Sequence, residues 1–272
     1  MAAFYGDAGM RYLSLSQRVP EACAVEPQAL TWLYGLYTSL PFVRTVYGRF
    51  VSGALAQRVT HGQALDLGTG PGYVALELAR QAPGLRVIGV DLAAHMVEQA
   101  QRQAKWMGLA GRGLWPQGDA HCLPFPDGSV DLVVSSFAMH HWQEPLQVLN
   151  EIARVLKPSR PGSKGSGQAS GSMAGGRYFI ADLCREVTPL QRLFAYGSIP
   201  AVSIPFGSYW GYGGYYESVR AGYTCQEAQE LLDRSNLPPG EVHVAATWFV
   251  PILVLAPKEG DKGLVSPDRR EQ

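Results

Sequence analysis

The stretch that most constrains the fold of this chain is ALDLGTGPGYVALELA, residues 64–79. Its first four residues are apolar except for one Asp and predict a short buried strand, Ala64–Leu67. A glycine-rich turn follows at residues 68–72, where glycine permits a sharp reversal and the close approach of a ligand. Apolar residues from Val74 to Ala79 then predict a helix packed back on the strand. Strand, glycine turn and helix form an arrangement typical of nucleotide-binding proteins.

The spacing of the glycines distinguishes between two classes of nucleotide ligand. A dinucleotide-binding turn follows the pattern G-x-G-x-x-G/A. Here the glycines are Gly68, Gly70 and Gly72, and Tyr73 occupies the position at which that pattern requires Gly or Ala. A nicotinamide dinucleotide therefore fits this turn poorly.

Further segments follow the turn at intervals typical of an α/β sheet. RVIGVD, residues 86–91, predicts a buried strand that ends at Asp91, about 20 residues beyond the turn, where nucleotide-binding folds place an acid for the ribose hydroxyls. Alternatively, Asp91 caps the helix predicted from Ala94 to Met107. The remaining segments are GDA at 118–120, VDLVVSS at 130–136, EIARVLK at 151–157 and RYFIADL at 177–183.

In order and spacing, these segments resemble the class I S-adenosylmethionine-dependent methyltransferases, in particular the small-molecule type that includes ubiquinone and menaquinone methyltransferases. The resemblance covers residues 65–183 well and the C-terminal third more loosely. It implies an α/β fold, a Rossmann-like, mostly parallel sheet of seven strands with helices on both faces and the last strand antiparallel. It also implies S-adenosyl-L-methionine as the cofactor.

The same resemblance assigns residues to the cofactor. Asp91 is expected to accept hydrogen bonds from both ribose hydroxyls, and Asp119 to face the exocyclic amine of adenine. Met96 either covers the adenine or packs in the core. The full set expected to bind the cofactor is Asp66, Gly68, Thr69, Gly70, Gly72, Asp91, Leu92, Met96, Gly118, Asp119, Ala120 and Ser135.

Residues 1–60 are expected to form a helical cap over the cofactor. Apolar residues at helical spacing from Pro27 to Gln57 predict two helices that Pro41 separates. Within them, Tyr47 resembles the aromatic residue that related enzymes place near the methyl donor, which makes it a candidate catalytic residue. The alternative is that Tyr47 only packs on an amphipathic helix.

Two adjacent histidines, His140 and His141, follow the strand predicted at 130–136. Reacting groups of open α/β sheets lie at this end of a strand, so either histidine is a candidate base that orients or deprotonates the methyl acceptor. The alternative for each is packing or capping. Methyl transfer needs the acceptor about 3 Å from the methyl carbon, in line with the leaving sulfur, and in principle no metal. A metal site built from His121, Cys122 and the two histidines lacks any tight ligand spacing, and we expect none.

The methyltransferase domain is expected to span residues 61–258, with two segments of unusual composition inside it. Ser and Gly dominate residues 159–176, which predicts a flexible insertion into a turn. Residues 187–222 include PAVSIPFGSYWGYGGYY, whose rings predict a lid over the acceptor. Alternatively, these rings only dock a loop onto the domain. Residues 259–272 are charged and are expected to form a flexible tail.

Composition argues against several other classes. Lys plus Arg and Asp plus Glu both number 23, so no basic excess indicates a nucleic-acid partner. The four cysteines contain no C-x-x-C pair and predict neither a zinc site nor a disulfide framework. The N-terminus lacks the pattern of a signal peptide, and the apolar run at 248–256 is too short to span a bilayer. We therefore expect a cytoplasmic protein without stable membrane insertion, whose oligomeric state the sequence leaves open.

Together these patterns predict methyl transfer from S-adenosylmethionine to an oxygen, nitrogen or carbon atom of a small molecule. Residues 135–138, SSFA, lack the Asn/Asp-Pro-Pro-aromatic motif of relatives that methylate amide or adenine nitrogens, which disfavours those substrates. The aromatic segment favours an apolar or aromatic acceptor, such as a prenylated quinone-like ring methylated on carbon. Two alternatives stay open: a non-catalytic module that keeps the cofactor pocket, and a nicotinamide-dependent oxidoreductase.

Overall fold

The computed structural model describes residues 13–14, 18, 41–158, 175–193, 214–245 and 250–257. The helices are α1 Pro41–Ala56, α2 Tyr73–Gln81, α3 Ala94–Trp106, α4 Pro145–Val155, α5 Gly214–Ala221 and α6 Cys225–Arg234. The strands are β1 Leu13–Ser14, β2 His61–Leu67, β3 Gly84–Val90, β4 Gly113–Leu114, β5 Leu132–Ser136, β6 Arg177–Leu183, β7 Glu186–Val187, β8 Gly240–Ala245 and β9 Ile252–Pro257. A 3-10 turn spans Met139–His141. None of these described helices has the length and apolar character needed to cross a membrane.

Seven strands form one sheet in the order β4-β3-β2-β5-β6-β9-β8. β2 pairs in parallel with β3 and β5, and β6 pairs in parallel with β5, whereas β9 runs antiparallel to both β6 and β8. This architecture confirms the Rossmann-like, mostly parallel sheet with an antiparallel last strand. Because the chain order reverses between β2 and β5, a ligand cleft is expected at the carboxyl ends of these two strands.

The sheet divides the core into two halves because its strands carry apolar side chains on both faces. Tyr178 and Ile180 of β6 pack in the half that α4 and α6 cover. Phe179 and Ala181, which alternate with them, pack in the half that α1 and α2 cover. The domain is therefore a three-layer arrangement with the sheet in the middle.

The glycine-rich stretch folds as the predicted strand, turn and helix, although the strand is longer than expected. β2 begins at His61 rather than Ala64, because residues 61–63 continue the ladder to β3 even though their side chains are partly exposed. Pro41 is the first residue of α1, a position where a helix tolerates proline because no N–H is needed there.

Several sequence-based expectations lie outside the described residues. These are the helix predicted before Pro41, most of the Ser/Gly insertion (159–174), the central part of the proposed lid (194–213) and the tail (259–272).

Arg154 of α4 ties the loop that precedes β5 to the helix. Its guanidinium donates to the carbonyls of Leu123 (2.9 Å) and Phe125 (2.8 Å), and to the carboxylates of Glu151 (2.8 Å) and Asp127 (2.6 Å). Glu151 in turn accepts from the N–H of Leu123 at 2.8 Å. These interlocked contacts hold the segment that leads into β5.

We expect the substitution Arg154→Ala to lower the free energy of unfolding by about 1.5–3 kcal/mol, because it removes hydrogen bonds made by a charged donor and leaves carbonyls unsatisfied. Urea unfolding measures this change. Arg102→Ala is the matched control, since Arg102 lies on an exposed face of α3 and its one ion pair within the described chain is with Glu98, at 3.8 Å. The Arg102→Ala variant should lose less than about 0.5 kcal/mol of its free energy of unfolding. Equal losses in the two variants would contradict the role given to Arg154.

Candidate functional site

The turn after β2 is held by the end of the neighbouring strand β3. The backbone N–H groups of Gly68 and Thr69 both donate to the carbonyl of Val90, at 2.9 and 3.0 Å. The N–H of Gly70 donates to the carboxylate of Asp91 at 2.8 Å. The turn is therefore attached to β3 through three hydrogen bonds, which fix it at the carboxyl edge of the sheet.

Glycine is required in this turn for two different reasons. Gly68, Gly70 and Gly72 have φ of 67°, 52° and 86°, a backbone conformation that other residues rarely adopt. At Gly68 an added Cβ would lie 2.4 Å from the Cβ of Ala138, so a side chain would also collide with the chain beyond β5. At Gly70 an added Cβ would meet nothing within 4 Å. The backbone there borders open space, which forms a cradle for a ligand.

Asp66 is a buried carboxyl beneath the turn, with 1% of its surface exposed. Burial raises its pKa to about 7, although the Thr69 hydroxyl, which donates to Oδ2 at 2.8 Å, favours the charged form. The nearby N–H of Ala75 also favours that form, but Oδ1 has no hydrogen-bond partner of normal geometry among the described residues. A cationic or donor group of a ligand would supply the missing partner and favour the carboxylate.

Asp91 connects the glycine turn with the segment that enters α3. Its Oδ2 accepts from Gly70, and its Oδ1 accepts from the N–H of Ala93 at 2.9 Å. Burial raises the pKa of Asp91, whereas these two N–H groups lower it. Each carboxylate oxygen can accept more than one hydrogen bond, so this support of the backbone does not conflict with binding of ribose hydroxyls.

The turn Gly118–Ala120 is attached to the same strand end. The N–H of Gly118 donates to the carbonyl of Asp91 at 3.0 Å. Oδ1 of Asp119 accepts from the backbone N–H of His121 at 2.9 Å and lies 2.6 Å from its Nδ1, and these contacts hold the pKa of Asp119 below its usual value. Asp119 is therefore a charged acceptor beside Asp91, and Ala120 packs against the core half covered by α4 and α6.

The other predicted cofactor residues occupy different environments. Leu92 is 48% exposed, as expected of a residue that a ligand could cover. Met96 is buried among the core residues of α3. Ser135 is also buried, and its hydroxyl donates to the carbonyl of Leu67 at 2.8 Å, which joins β5 to β2 directly below the glycine turn.

An aromatic wall faces the glycine turn across an open pocket. The ring of Tyr47 lies 5.3 Å from that of Tyr73 and 5.6 Å from that of Phe137. These rings come from α1, α2 and the chain beyond β5, so three separate elements converge on one pocket. Its lining consists of Tyr47, Gly68, Thr69, Gly70, Pro71, Tyr73, Val74, Ser136 and Phe137.

The two candidate histidines lie in the 3-10 turn, where an acid from β6 meets them. Nδ1 of His140 lies 2.6 Å from Oδ1 of Asp182, and the N–H of His140 donates to Oδ2 at 2.6 Å. His140 and Asp182 are 4% and 1% exposed. The ring of His141 lies against that of His140 at a tilt of 41°, with centroids 4.0 Å apart. Burial together with the neighbouring His140 lowers the pKa of His141 to about 4. His141 is therefore neutral at pH 7.

The histidine pair and the aromatic wall lie at the same edge of the sheet but toward different faces of it. The pocket lining includes Ser136 and Phe137 but neither histidine. Met139, beside His140, packs in the half covered by α4 and α6, whereas Tyr47 belongs to the half covered by α1 and α2. Both groups thus lie at the end of β5, without sharing the pocket wall.

His121, the other histidine considered for a metal, pairs with Asp119. In the described ranges, no group of three His, Cys, Asp or Glu side chains is placed to hold a metal ion.

Sequence reasoning missed three residues of this region: Asp182, Tyr73 and Phe137. Asp182 stands near the end of a buried strand, as Asp66 does, and that repeated position was a usable signal. Tyr73 was noted only as a mismatch to the dinucleotide pattern, yet its ring lines the pocket, with the Arg44 guanidinium 5.7 Å from its centroid. The backbone of Phe137 has a positive φ that no local pattern indicates.

Comparison with known proteins gives consistent matches. Residues 65–159 match the model of a methyltransferase domain family. The chain is 44% identical over 94 residues to the demethylmenaquinone methyltransferase of Thermus thermophilus, covering 35% of this chain and 42% of the relative. It is 34% identical over 134 residues to the ubiquinone/menaquinone biosynthesis C-methyltransferase of Geobacter sulfurreducens, covering 49% and 45%. The match thus spans less than half the length of either curated relative.

A solved structure has the same fold. A candidate S-adenosyl-L-methionine-dependent methyltransferase of Methanococcus maripaludis superposes with a TM-score of 0.56 at 20% identity, covering 85% of this chain and 93% of that one. The order of strands, the glycine turn and the family match agree with one another. Residues 65–159 thus match a methyltransferase domain family, within a chain that has the fold of the Methanococcus maripaludis protein.

Proposed function

We propose that this chain transfers the methyl group of S-adenosylmethionine to a small-molecule acceptor with an apolar, ring-containing body. The observation that carries the proposal is a single pocket in which the glycine turn faces the rings of Tyr47, Tyr73 and Phe137. One side of this pocket offers the backbone of the glycine turn together with Thr69 and Ser136, and the other offers aromatic surface. Such a division suits a polar donor that meets an apolar acceptor.

The residues around the glycine turn fit the cofactor. Asp66 has a buried oxygen without a partner of normal geometry in the described chain, suited to the amino group of the methionine part. Gly70 borders open space in which the backbone can approach a ligand. Asp91 can accept from the ribose hydroxyls and Asp119 from the adenine amine. When bound, the cofactor supplies a methyl group that its positive sulfur has already activated.

The pocket wall and the names of the curated relatives support the proposed kind of acceptor. The curated relatives from Thermus thermophilus and Geobacter sulfurreducens are named for methylation of quinone precursors, the second on carbon. We extend this to a quinone-like ring in the present chain, methylated at a ring carbon. The protein's part is to exclude water and hold the acceptor in line, about 3 Å from the methyl carbon, without a metal.

His140 is the candidate base of this proposal, with Asp182 as its positioning residue. Because His140 lies outside the pocket lining, this role requires the acceptor to extend beyond that lining toward the 3-10 turn. A carboxylate at Nδ1 fixes the ring and stabilises positive charge on it, as expected of a base that removes a proton from the acceptor. His141, with a pKa of about 4, is a weaker base at pH 7. The competing role for His140 is structural, since the same carboxylate also anchors its backbone N–H.

The most direct test of the function uses donor labelled in its methyl group, mixed with the purified protein and a cell extract. We expect the label in a lipid or small-molecule fraction, and none in protein or nucleic acid. Protein heated to inactivation is the control. Label in nucleic acid would contradict the proposal, and binding of S-adenosylhomocysteine without transfer to any fraction would favour a non-catalytic module.

The role of Asp91 can be tested by calorimetry with S-adenosylhomocysteine. We expect Asp91→Ala to weaken binding by about 1.5–3 kcal/mol, since it removes hydrogen bonds to a charged acceptor. Asp91→Asn, which keeps one acceptor oxygen, should weaken binding of S-adenosylhomocysteine less than Asp91→Ala does. Thermal unfolding of both variants controls for loosening of the turn, because Asp91 also accepts from Gly70. An unchanged dissociation constant in a folded Asp91→Ala variant would rule out the ribose contact.

The histidine proposal is tested by pH–rate profiles of Asp182→Asn and His140→Gln. If His140 is the base, both variants should lower kcat by about 10²-fold or more and alter the acid limb of the profile, while affinity for S-adenosylhomocysteine stays unchanged. His141→Gln is the matched control and should leave the profile above pH 5 unaltered, because His141 is already neutral there. Reduced stability with an unchanged kcat and profile would assign His140 a structural role.

A further inference from the structure

Phe137, the first residue beyond β5, has a backbone φ of 52°. A left-handed backbone is a genuine outlier for a bulky side chain, because its Cβ crowds the adjacent peptide group. Strain of this kind persists only where the surroundings over-determine it, and it clusters at ligand-binding sites. Contacts around Phe137 must therefore hold this conformation.

Contacts on both sides of Phe137 prevent its backbone from relaxing. Its N–H donates to the carbonyl of Ala181 in β6 at 2.9 Å. The next residue, Ala138, packs so closely on Gly68 that a Cβ there would lie 2.4 Å away. The 3-10 turn that follows is anchored by the Asp182 carboxylate, which accepts from its backbone at 2.6 Å. The strained residue is thus fixed by β6, by the glycine turn and by a buried acid.

The strained backbone places the Phe137 ring in the pocket wall. The ring packs edge-on against Tyr47, with centroids 5.6 Å apart and an interplanar angle of 90°. It packs in the same manner on Phe50, at 4.9 Å and 73°. Of these neighbours, Tyr47 lines the pocket with Phe137, whereas Phe50 lies behind the wall. Phe137 therefore forms part of the pocket surface that faces the glycine turn.

We propose that Phe137 determines acceptor specificity, by presenting its ring to a planar, unsaturated ring of the acceptor. The inference rests on the proposed methyl transfer, in which the glycine turn holds the donor and the aromatic wall remains for the acceptor. Aromatic pairs attract each other beyond the burial of area, in edge-on or offset arrangements. A saturated ring of the same size lacks this attraction, so the wall discriminates between planar and saturated acceptors.

The test measures ligand binding rather than turnover, so it does not depend on finding the natural acceptor. The probes are 1-naphthol and its saturated counterpart decahydro-1-naphthol, titrated by equilibrium dialysis with saturating S-adenosylhomocysteine present. The variants are Phe137→Ala and Phe137→Gly. Phe50→Leu is the matched control, because Phe50 belongs to the same aromatic cluster but does not line the pocket.

We expect the unsubstituted protein to bind 1-naphthol more tightly than the saturated probe. Both Phe137 variants should bind 1-naphthol roughly three- to tenfold more weakly, the range for one aromatic pair. Binding of decahydro-1-naphthol should change less than twofold, and Phe50→Leu should leave both probes nearly unaffected. Equal weakening of both probes, or no binding of 1-naphthol by the unsubstituted protein, would overturn the proposal. So would competition between 1-naphthol and S-adenosylhomocysteine, which would assign the rings to the donor.

The two Phe137 variants also test the strain itself. Glycine adopts a positive φ without cost, so Phe137→Gly should unfold at a higher urea concentration than Phe137→Ala, the reverse of their usual order. The usual order would show that the backbone is not strained and would remove the basis of the proposal. If both probes bind as expected but no methyl transfer is found, the result counts against the proposed function and not against the ring preference assigned to Phe137.

Discussion

The site depends on the hydrogen bonds between the glycine turn and the end of β3. Three N–H groups of the turn donate to Val90 and Asp91, so their position is set by a strand rather than by the turn itself. This arrangement leaves the backbone beside Gly70 open to a ligand without loss of order. Ser135, which joins β5 to β2 just below, extends the same support to the neighbouring strand. A flexible sequence thereby becomes a rigid binding surface.

Acids that are buried or partly buried recur near the carboxyl ends of the strands. Asp66, Asp91 and Asp182 follow or end β2, β3 and β6, although the chain as a whole has no net charge. Burial raises the pKa of both Asp66 and Asp91, and the backbone and hydroxyl donors around them oppose that rise. Asp66 holds the turn through one oxygen, whereas Asp91 and Asp182 accept hydrogen bonds at both oxygens. These acids therefore hold the loops at the carboxyl edge of the sheet in place.

The sequence predicted what local patterns and their spacing determine. The strand, turn and helix predicted at 64–79 follow from hydrophobic periodicity and from glycine positions, which act over short distances. The mostly parallel sheet of seven strands was implied by the resemblance to the methyltransferases. The pairing of His140 with Asp182 joins residues 42 positions apart, and no local pattern reports it. The positive φ of Phe137 arises from contacts with Ala181 and Gly68, which lie on two other elements. The sequence predicted that the two histidines follow the strand that became β5. Their separation from the aromatic wall depends on which half of the core each side chain enters, and the sequence does not report this.

The close contact between Gly68 and Ala138 has a consequence for how such a protein can vary. The two positions lie on different loops, yet they share one volume, so any side chain gained at either must be offset at the other. Because position 68 also needs a positive φ, only position 138 has any freedom, and that freedom is limited to small residues. Under the role proposed for Phe137, acceptor preference can diversify through the aromatic wall while residues 68 and 138 stay small together. The glycine turn and the chain beyond β5 in this sense form one steric unit.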